Sequence, residues 1–189
     1  MKPTTLNSPK PTSAKTSTPT GAKTAKPTGA KTAKPNGAQK SPEATALLRA
    51  DHKHVAALFA EYEATKSVAK KKKLVAEICT ELSVHAQVEE EIFYPAVQKA
   101  SKDHELVPEA IVEHASLKDL IAQVEGKEPD GEMFDAKITV LSEYVKHHVK
   151  EEQNEMFPKA KATSLDMNAL GAQMAARKLE LLAARGVPS

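Results

Sequence analysis

The sequence predicts an all-α protein, an up-down-up-down four-helix bundle with an additional C-terminal helix behind a disordered N-terminal tail. Three observations predict it. From Ser41 onward, apolar residues recur at alternating steps of three and four, which is the repeat of one helical face. Residues 1–42 are mainly Lys, Pro, Thr, Ala and Gly, with no Asp or Glu and with Leu6 as the only branched apolar side chain, too little to bury a core. Finally, one pattern is written twice: a lone His, then 33 or 34 residues later a His-x-x-x-Glu, as His52 with His85 and Glu89 and as His114 with His148 and Glu152.

Composition sets the bounds. A chain of 189 residues with 40% hydrophobic and 28% charged residues allows one helical domain plus a tail. A single cysteine, Cys79, rules out an intramolecular disulfide and a cysteine-based zinc site. No apolar stretch reaches the length of a membrane span, and Met1 to Lys10 lack the apolar core of a secretory signal, so a cytoplasmic location is expected. Within the tail, KTAKPTGA at Lys23 to Ala30 recurs as KTAKPNGA at Lys31 to Ala38, a composition that resembles histone H1-like tails. With eight lysines there and a net charge of +2 overall, the remainder carries −6. Such an arm suits weak, salt-sensitive attachment to nucleic acid, or it serves as a solubilising segment; it offers no aromatics for stacking and no arginines for base contacts. The expected division is residues 1–42 as tail, 43–160 as the bundle and 161–189 as the extra helix.

The first helix is expected to start at Ser41 as N-cap, with Pro42 in the first turn, and to run to about Thr65. Its stripe of Leu48, Val55, Phe59 and Tyr62 places His52 inward. The second, about Val68 to Tyr94, carries Ile78, Leu82, His85, Glu89 and Ile92 on one face, with Pro95 kinking or ending it. Lys70 to Lys73 read as a solvated face. The third, near Pro108 to Glu125, carries Ile111, His114, Leu117 and Ile121; Gly126 to Gly131 then breaks the chain. The fourth, about Glu132 to Phe157, carries Ile138, Leu141, Val145, His148 and Glu152, and Pro158 follows His148 by the same ten residues that separate Pro95 from His85. A last helix, Leu165 to Arg185 with Ser164 as N-cap, carries Leu170, Met174, Leu179 and Leu182, and is expected to pack on the bundle without ligating metal.

Short connections make successive helices antiparallel, so four inward imidazoles and two inward carboxylates converge at one depth. A buried carboxylate without a partner costs several kcal/mol or shifts its pKa until neutral. A cation resolves the conflict, and His52, His85, Glu89, His114, His148 and Glu152 are the donor set of a dinuclear non-haem iron site, with manganese as the alternative metal. Ferritin-like Glu-x-x-His and protease-type His-Glu-x-x-His motifs are absent. His54 and His104 are expected to face solvent. His147, Glu90 and Glu151 are candidates for an additional ligand, and Tyr144, one turn before His148, for packing or a hydrogen bond near the site.

The segments DHKHVAALF at Asp51 to Phe59, HAQVEEEIFYP at His85 to Pro95, EHASLKDL at Glu113 to Leu120 and HHVKEEQNEMFP at His147 to Pro158 resemble the hemerythrin HHE cation-binding domain. The resemblance spans about Ala44 to Ala160. It implies a four-helix bundle holding a di-iron centre on the same six residues. Oxygen-carrying members place a second His one turn from the first on the third helix; here the positions one turn either side of His114 are Ala110 and Lys118. The resemblance therefore implies binding or sensing of dioxygen or a related small ligand. The alternatives are an enzyme handling peroxide or nitric oxide, and an iron-storage or DNA-associated protective protein using the basic tail.

Overall fold

Three of the long helices begin where a side chain, Glu43, Ser67 or Asp166, caps the first backbone N–H groups. Residues 41–102 and 104–187 are described by the structure, a computed structural model, so the basic tail lies outside the described residues except for its last two. Helix α1 spans Ala44–Ala64, α2 Val68–Val88, α3 Tyr94–Ala100, α4 Leu106–Val124, α5 Glu132–Glu151, α6 Phe157–Lys161 and α7 Met167–Ala184. Glu43, not Ser41, caps α1, its side chain accepting the Thr45 N–H at 3.1 Å. At α7 the cap is Asp166 rather than Ser164, because its carboxylate takes both the Asn168 and the Ala169 N–H at 3.0 Å. Gly126 and Gly131 adopt positive φ in the break between α4 and α5.

The two prolines neither end nor disrupt their helices. After α2 comes a π-helical turn, Glu89–Phe93, and after α5 another, Glu152–Met156; in each case the chain then resumes as α-helix with Pro95 or Pro158 in the first turn, where no N–H is needed. Consequently α2 and α3 act as one long rod, as do α5 and α6.

The bundle pairs α1 with α2 and α4 with α5, and closes through α2 against α4 and α1 against α5. Its interior consists of two apolar clusters. One gathers Val55, Phe59, Ile78, Leu82, Ile138 and Leu141; the other gathers Leu48, Val84, Phe93, Phe157 and Met174. Along α1, His52 falls between Leu48 of one cluster and Val55 of the other. The site is thus a polar layer between two dry ones.

Three expectations for apolar and aromatic side chains change. Ile111 is 47% exposed, because α4 turns Val107 and the small Ala110 inward with His114. Leu179 faces out since its neighbour Lys178 takes the inner face of α7. Tyr144 is exposed and does neither job expected of it. Nor are the lysines of α2 merely solvated. Lys71 bonds Asp135 of α5 at 2.7 Å and lies 5.0 Å from the Tyr62 ring centre.

Helix α7 lies on α1 and α2, and its contact with the start of α1 depends on Gly171. A Cβ there would stand 2.2 Å from the Pro42 carbonyl oxygen and 2.7 Å from the Ala44 nitrogen, both backbone atoms. Gly171→Ala is therefore expected to displace α7 and destabilise the protein by about 1–3 kcal/mol despite the better helix propensity of Ala. A thermal melt checks this; an unchanged or raised midpoint would refute the close approach.

Candidate metal centre

The six residues predicted as ligands are all buried and all meet in the polar layer. His52 comes from α1, His85 from the last turn of α2, His114 from α4 and His148 from the last turn of α5, while Glu89 and Glu152 open the two π-turns. Their inner atoms lie close together: His52 Nε2 to His85 Nε2 3.0 Å, His114 Nε2 to His148 Nε2 3.1 Å, His85 Nε2 to Glu89 Oε2 3.2 Å and His52 Nε2 to Glu152 Oε2 3.3 Å. Within the layer two groups could hold an ion, His52 with His85, Glu89 and Glu152, and Glu89 with His114 and His148; a third group among the described residues, Glu113 with His147 and Glu151, lies outside it. Glu89 belongs to both.

The π-turns add a residue the sequence reading missed. In each, the backbone N–H five residues on bonds to the glutamate carbonyl, Tyr94 to Glu89 and Phe157 to Glu152. On an α-helix such a residue would point about 140° away. The wider turn brings it back toward the glutamate's face, so Tyr94 and Phe157 occupy matching places in the two halves. Tyr94 donates its O–H to Glu152 Oε1 at 3.0 Å and stands 3.2 Å from His114 Nε2. Phe157 instead lies parallel to the His52 ring, with centres 6.0 Å apart.

Each imidazole is held from behind through Nδ1. Asp51 stands 3.4 Å behind His85, Glu113 2.7 Å behind His148, Glu90 2.9 Å behind His114 and the Gln153 amide 3.0 Å behind His52. The residue before each lone His thus supports the motif His of its own hairpin, and the residue after each motif Glu supports the lone His of the other. That regularity was visible as Asp51-His52 and Glu113-His114. Second supports hold the first: Lys118 bonds Glu90 at 2.6 Å, and Lys178 of α7 bonds Asp51 at 2.7 Å and Glu81 at 3.2 Å. Outer groups of this kind orient a ligand and raise its basicity.

Does this donor set fit a metal? Glu89 Oε1 and Glu152 Oε2 are buried without a hydrogen bond, and Glu152 Oε2 faces two imidazoles, His52 Nε2 at 3.3 Å and His148 Nε2 at 3.7 Å. Two ligand atoms about 2.1 Å from a shared ion stand roughly 3.0 to 3.4 Å apart, which matches the spacings above. The donors fit a cation.

Without one, the charges are in conflict. Burial and the Glu152 charge push Glu89 up to about 7, whereas the imidazoles of His52, His148 and His85 hold Glu152 down to about 2 against burial. Burial disfavours a charged His85, but Glu89 and Asp51 outweigh it and raise the group to about 10. Burial and the His148 charge press His114 down to about 4. At neutral pH the metal-free centre therefore keeps a proton on His85 and shares more between Glu89 and His148; burial disfavours a charged His148, but Glu113 and Glu152 raise it. Metal uptake must expel these protons, so affinity is expected to rise with pH between 6 and 8, with roughly one to two protons released per loaded chain. Calorimetry in buffers of different ionisation enthalpy counts them; uptake without proton release would contradict this charge assignment.

Beside the four imidazoles is a cavity of about 20 Å³. Its remaining wall is largely aliphatic, with Val55, Leu82, Leu117, Ile121, Val145 and Val149. A space of that size holds about one water-sized molecule.

The three candidates for a further ligand lie outside the layer. Glu90 faces the outer nitrogen of His114, and His147 is exposed, pairing with Glu113 at 3.5 Å and Glu151 at 3.3 Å. His54 faces outward, as expected, beside Glu77.

The model of the hemerythrin HHE cation binding domain matches residues 43–160, well over half the chain. The chain belongs to that family. Among curated proteins, this hemerythrin-family chain is similar to a DNA nickase of Nostoc sp., 28% identical over 111 residues, which is 59% of this chain and 31% of that protein. The chain thus spans under a third of the length of that relative. Among solved structures, the fold is shared with a hemerythrin HHE cation binding domain-containing protein from Mycobacterium kansasii at a TM-score of 0.66, with 22% identity over 76% of this chain and 89% of that one. Among the described residues, no helix of this hemerythrin protein is long and apolar enough to cross a membrane.

Proposed function

We propose that His52, His85, Glu89, His114, His148 and Glu152 hold a dinuclear non-haem iron centre that binds or senses dioxygen or a similarly small molecule. The observation that carries this reading is the aliphatic cavity of about 20 Å³ against all four imidazoles, which suits a diatomic ligand and is too small for an organic substrate. Bound iron would supply redox chemistry and open coordination positions, since six protein donors do not fill two ions. The protein's own part is to keep those positions dry and oriented. Valine, leucine and isoleucine side chains exclude water, the outer carboxylates fix the rings, and Tyr94 offers a hydroxyl proton inside the layer. Ala110 and Lys118 leave α4 without a second imidazole one turn from His114, which favours a sensor or an enzyme over a dedicated oxygen carrier.

The test is visible absorption of anaerobically loaded full-length protein on exposure to dioxygen and to nitric oxide. A ligand-dependent spectrum that reverses on removal supports the reading, and an unchanged spectrum with both gases removes it. Catalytic loss of peroxide or nitric oxide would instead favour an enzyme at the same centre.

A second reading rests on two observations, the eight lysines without any acid in residues 1–42 and the DNA nickase relative. It is association with DNA, expected to weaken steeply with salt. A mobility shift that survives deletion of residues 1–42 would refute the basic segment's role.

A further inference from the structure

The two halves of the centre are built on one plan, and the plan is broken behind His52. In the other three positions the outer nitrogen faces a carboxylate, Asp51, Glu90 or Glu113. A carboxylate only accepts, so it sets the proton on Nδ1 and leaves the Nε2 lone pair free for a metal. Behind His52 stands Gln153, in the place that Glu90 takes in the other half, each following its motif glutamate by one residue.

The orientation of that amide is set by Arg49. A guanidinium has donors only; Arg49 Nη1 donates to Gln153 Oε1 at 2.7 Å, and Nη2 donates to the Gln153 backbone carbonyl at 3.2 Å. The amide nitrogen is thereby turned to His52 Nδ1 at 3.0 Å. An NH2 group accepts nothing, so neutral His52 must accept at Nδ1 and carry its proton on Nε2. That is the atom facing His85 Nε2 and Glu152 Oε2. Coordination through His52 Nε2 requires the proton to move to Nδ1 and the amide to turn over, which breaks its bond to Arg49 Nη1.

We propose that Gln153 and Arg49 are positioning residues that make the two metal positions unequal: the ion held by His52, His85 and Glu152 binds more weakly, fills last and leaves first, while the one held by His114 and His148 is retained. This deepens the dinuclear reading and rests on it.

The experiment is an anaerobic ferrous titration of the full-length protein against a competing chelator, for wild type, Gln153→Glu and Arg49→Met. Wild type should show two affinity classes about 10 to 100-fold apart, the usual scale for an outer support of a ligating His. Gln153→Glu keeps the size of the side chain and the Arg49 contact while supplying an acceptor, and should tighten the weak class until the two merge. Arg49→Met frees the amide to turn and should narrow the gap without closing it. Two equal sites in wild type, or an unchanged gap in Gln153→Glu, overturns the proposal, whereas a wild type that takes up no iron overturns the dinuclear reading as well. A readout without metal is nitrogen NMR of the imidazoles. His52 should carry its proton on Nε2 in wild type and on Nδ1 in Gln153→Glu; a wild-type Nδ1 proton would also overturn the proposal.

Discussion

Glu89→Ala is expected to lower bound iron from two ions per chain to less than one. Glu89 is the residue common to both donor groups, so its loss removes an anionic ligand from each position at once and leaves the surrounding imidazoles facing uncompensated positive charge. His148→Ala should be milder, because His148 serves one group only. Iron analysis after anaerobic reconstitution distinguishes them, and two retained ions in Glu89→Ala would show that the shared-carboxylate assignment is wrong. The metal-free protein provides a second readout of the same residue. With its folded pKa raised to about 7 above an unfolded value of about 4.3, Glu89 binds its proton more tightly in the folded state. Its contribution is then greatest below the unfolded value and declines as pH rises toward 7. That part of the slope should be present in wild type and missing from Glu89→Ala when the two are compared pH by pH.

The largest change in stability is expected from Phe157→Ala, a loss of about 3–5 kcal/mol. Phe157 is fully buried, meets Phe93 edge-on with ring centres 5.7 Å apart, lies parallel to His52 and carries the Arg49 guanidinium 5.1 Å from its centre. Truncation opens a cavity beneath a ligand, so iron held by His52 should be lost along with stability. Urea unfolding of the metal-free variant measures the first effect apart from the second. A loss under about 1 kcal/mol would mean that the surrounding helices collapse into the space.

What could be read from the sequence follows from what repeats within one helix. The steps of three and four that carry Leu48, His52, Val55 and Phe59 to one face are a property of consecutive residues, and so is the step of four from His85 to Glu89. Ile111 was misplaced because positions three and four before His114 both suit an inward face, and the smaller Ala110, four before, is the one turned in. Tyr94 could not be read because a helical wheel places it away from Glu89; the π-turn that returns it depends on tertiary packing. The pairing of Lys178 with Asp51 joins residues 127 positions apart, and no local period signals it. Gln153 was visible as the one amide where its counterpart is an acid, but that contrast has meaning only once the two hairpins face each other.

The π-turns have one more consequence. Each accommodates one more residue per turn than the α-helix around it, so the arrangement of the centre is set by a count as well as by identities. Regularising the turn at Glu89–Phe93 to plain α-helix with every residue retained would keep every ligand, every outer support and the tyrosine, yet would rotate Tyr94 and everything beyond it by about 100°. A complete set of substitutions could find each of these positions tolerant and never reveal that constraint. A one-residue deletion at 91–93 or 154–156 is absorbed by loss of the π-turn, so an insertion there is the length change to which this centre is most exposed.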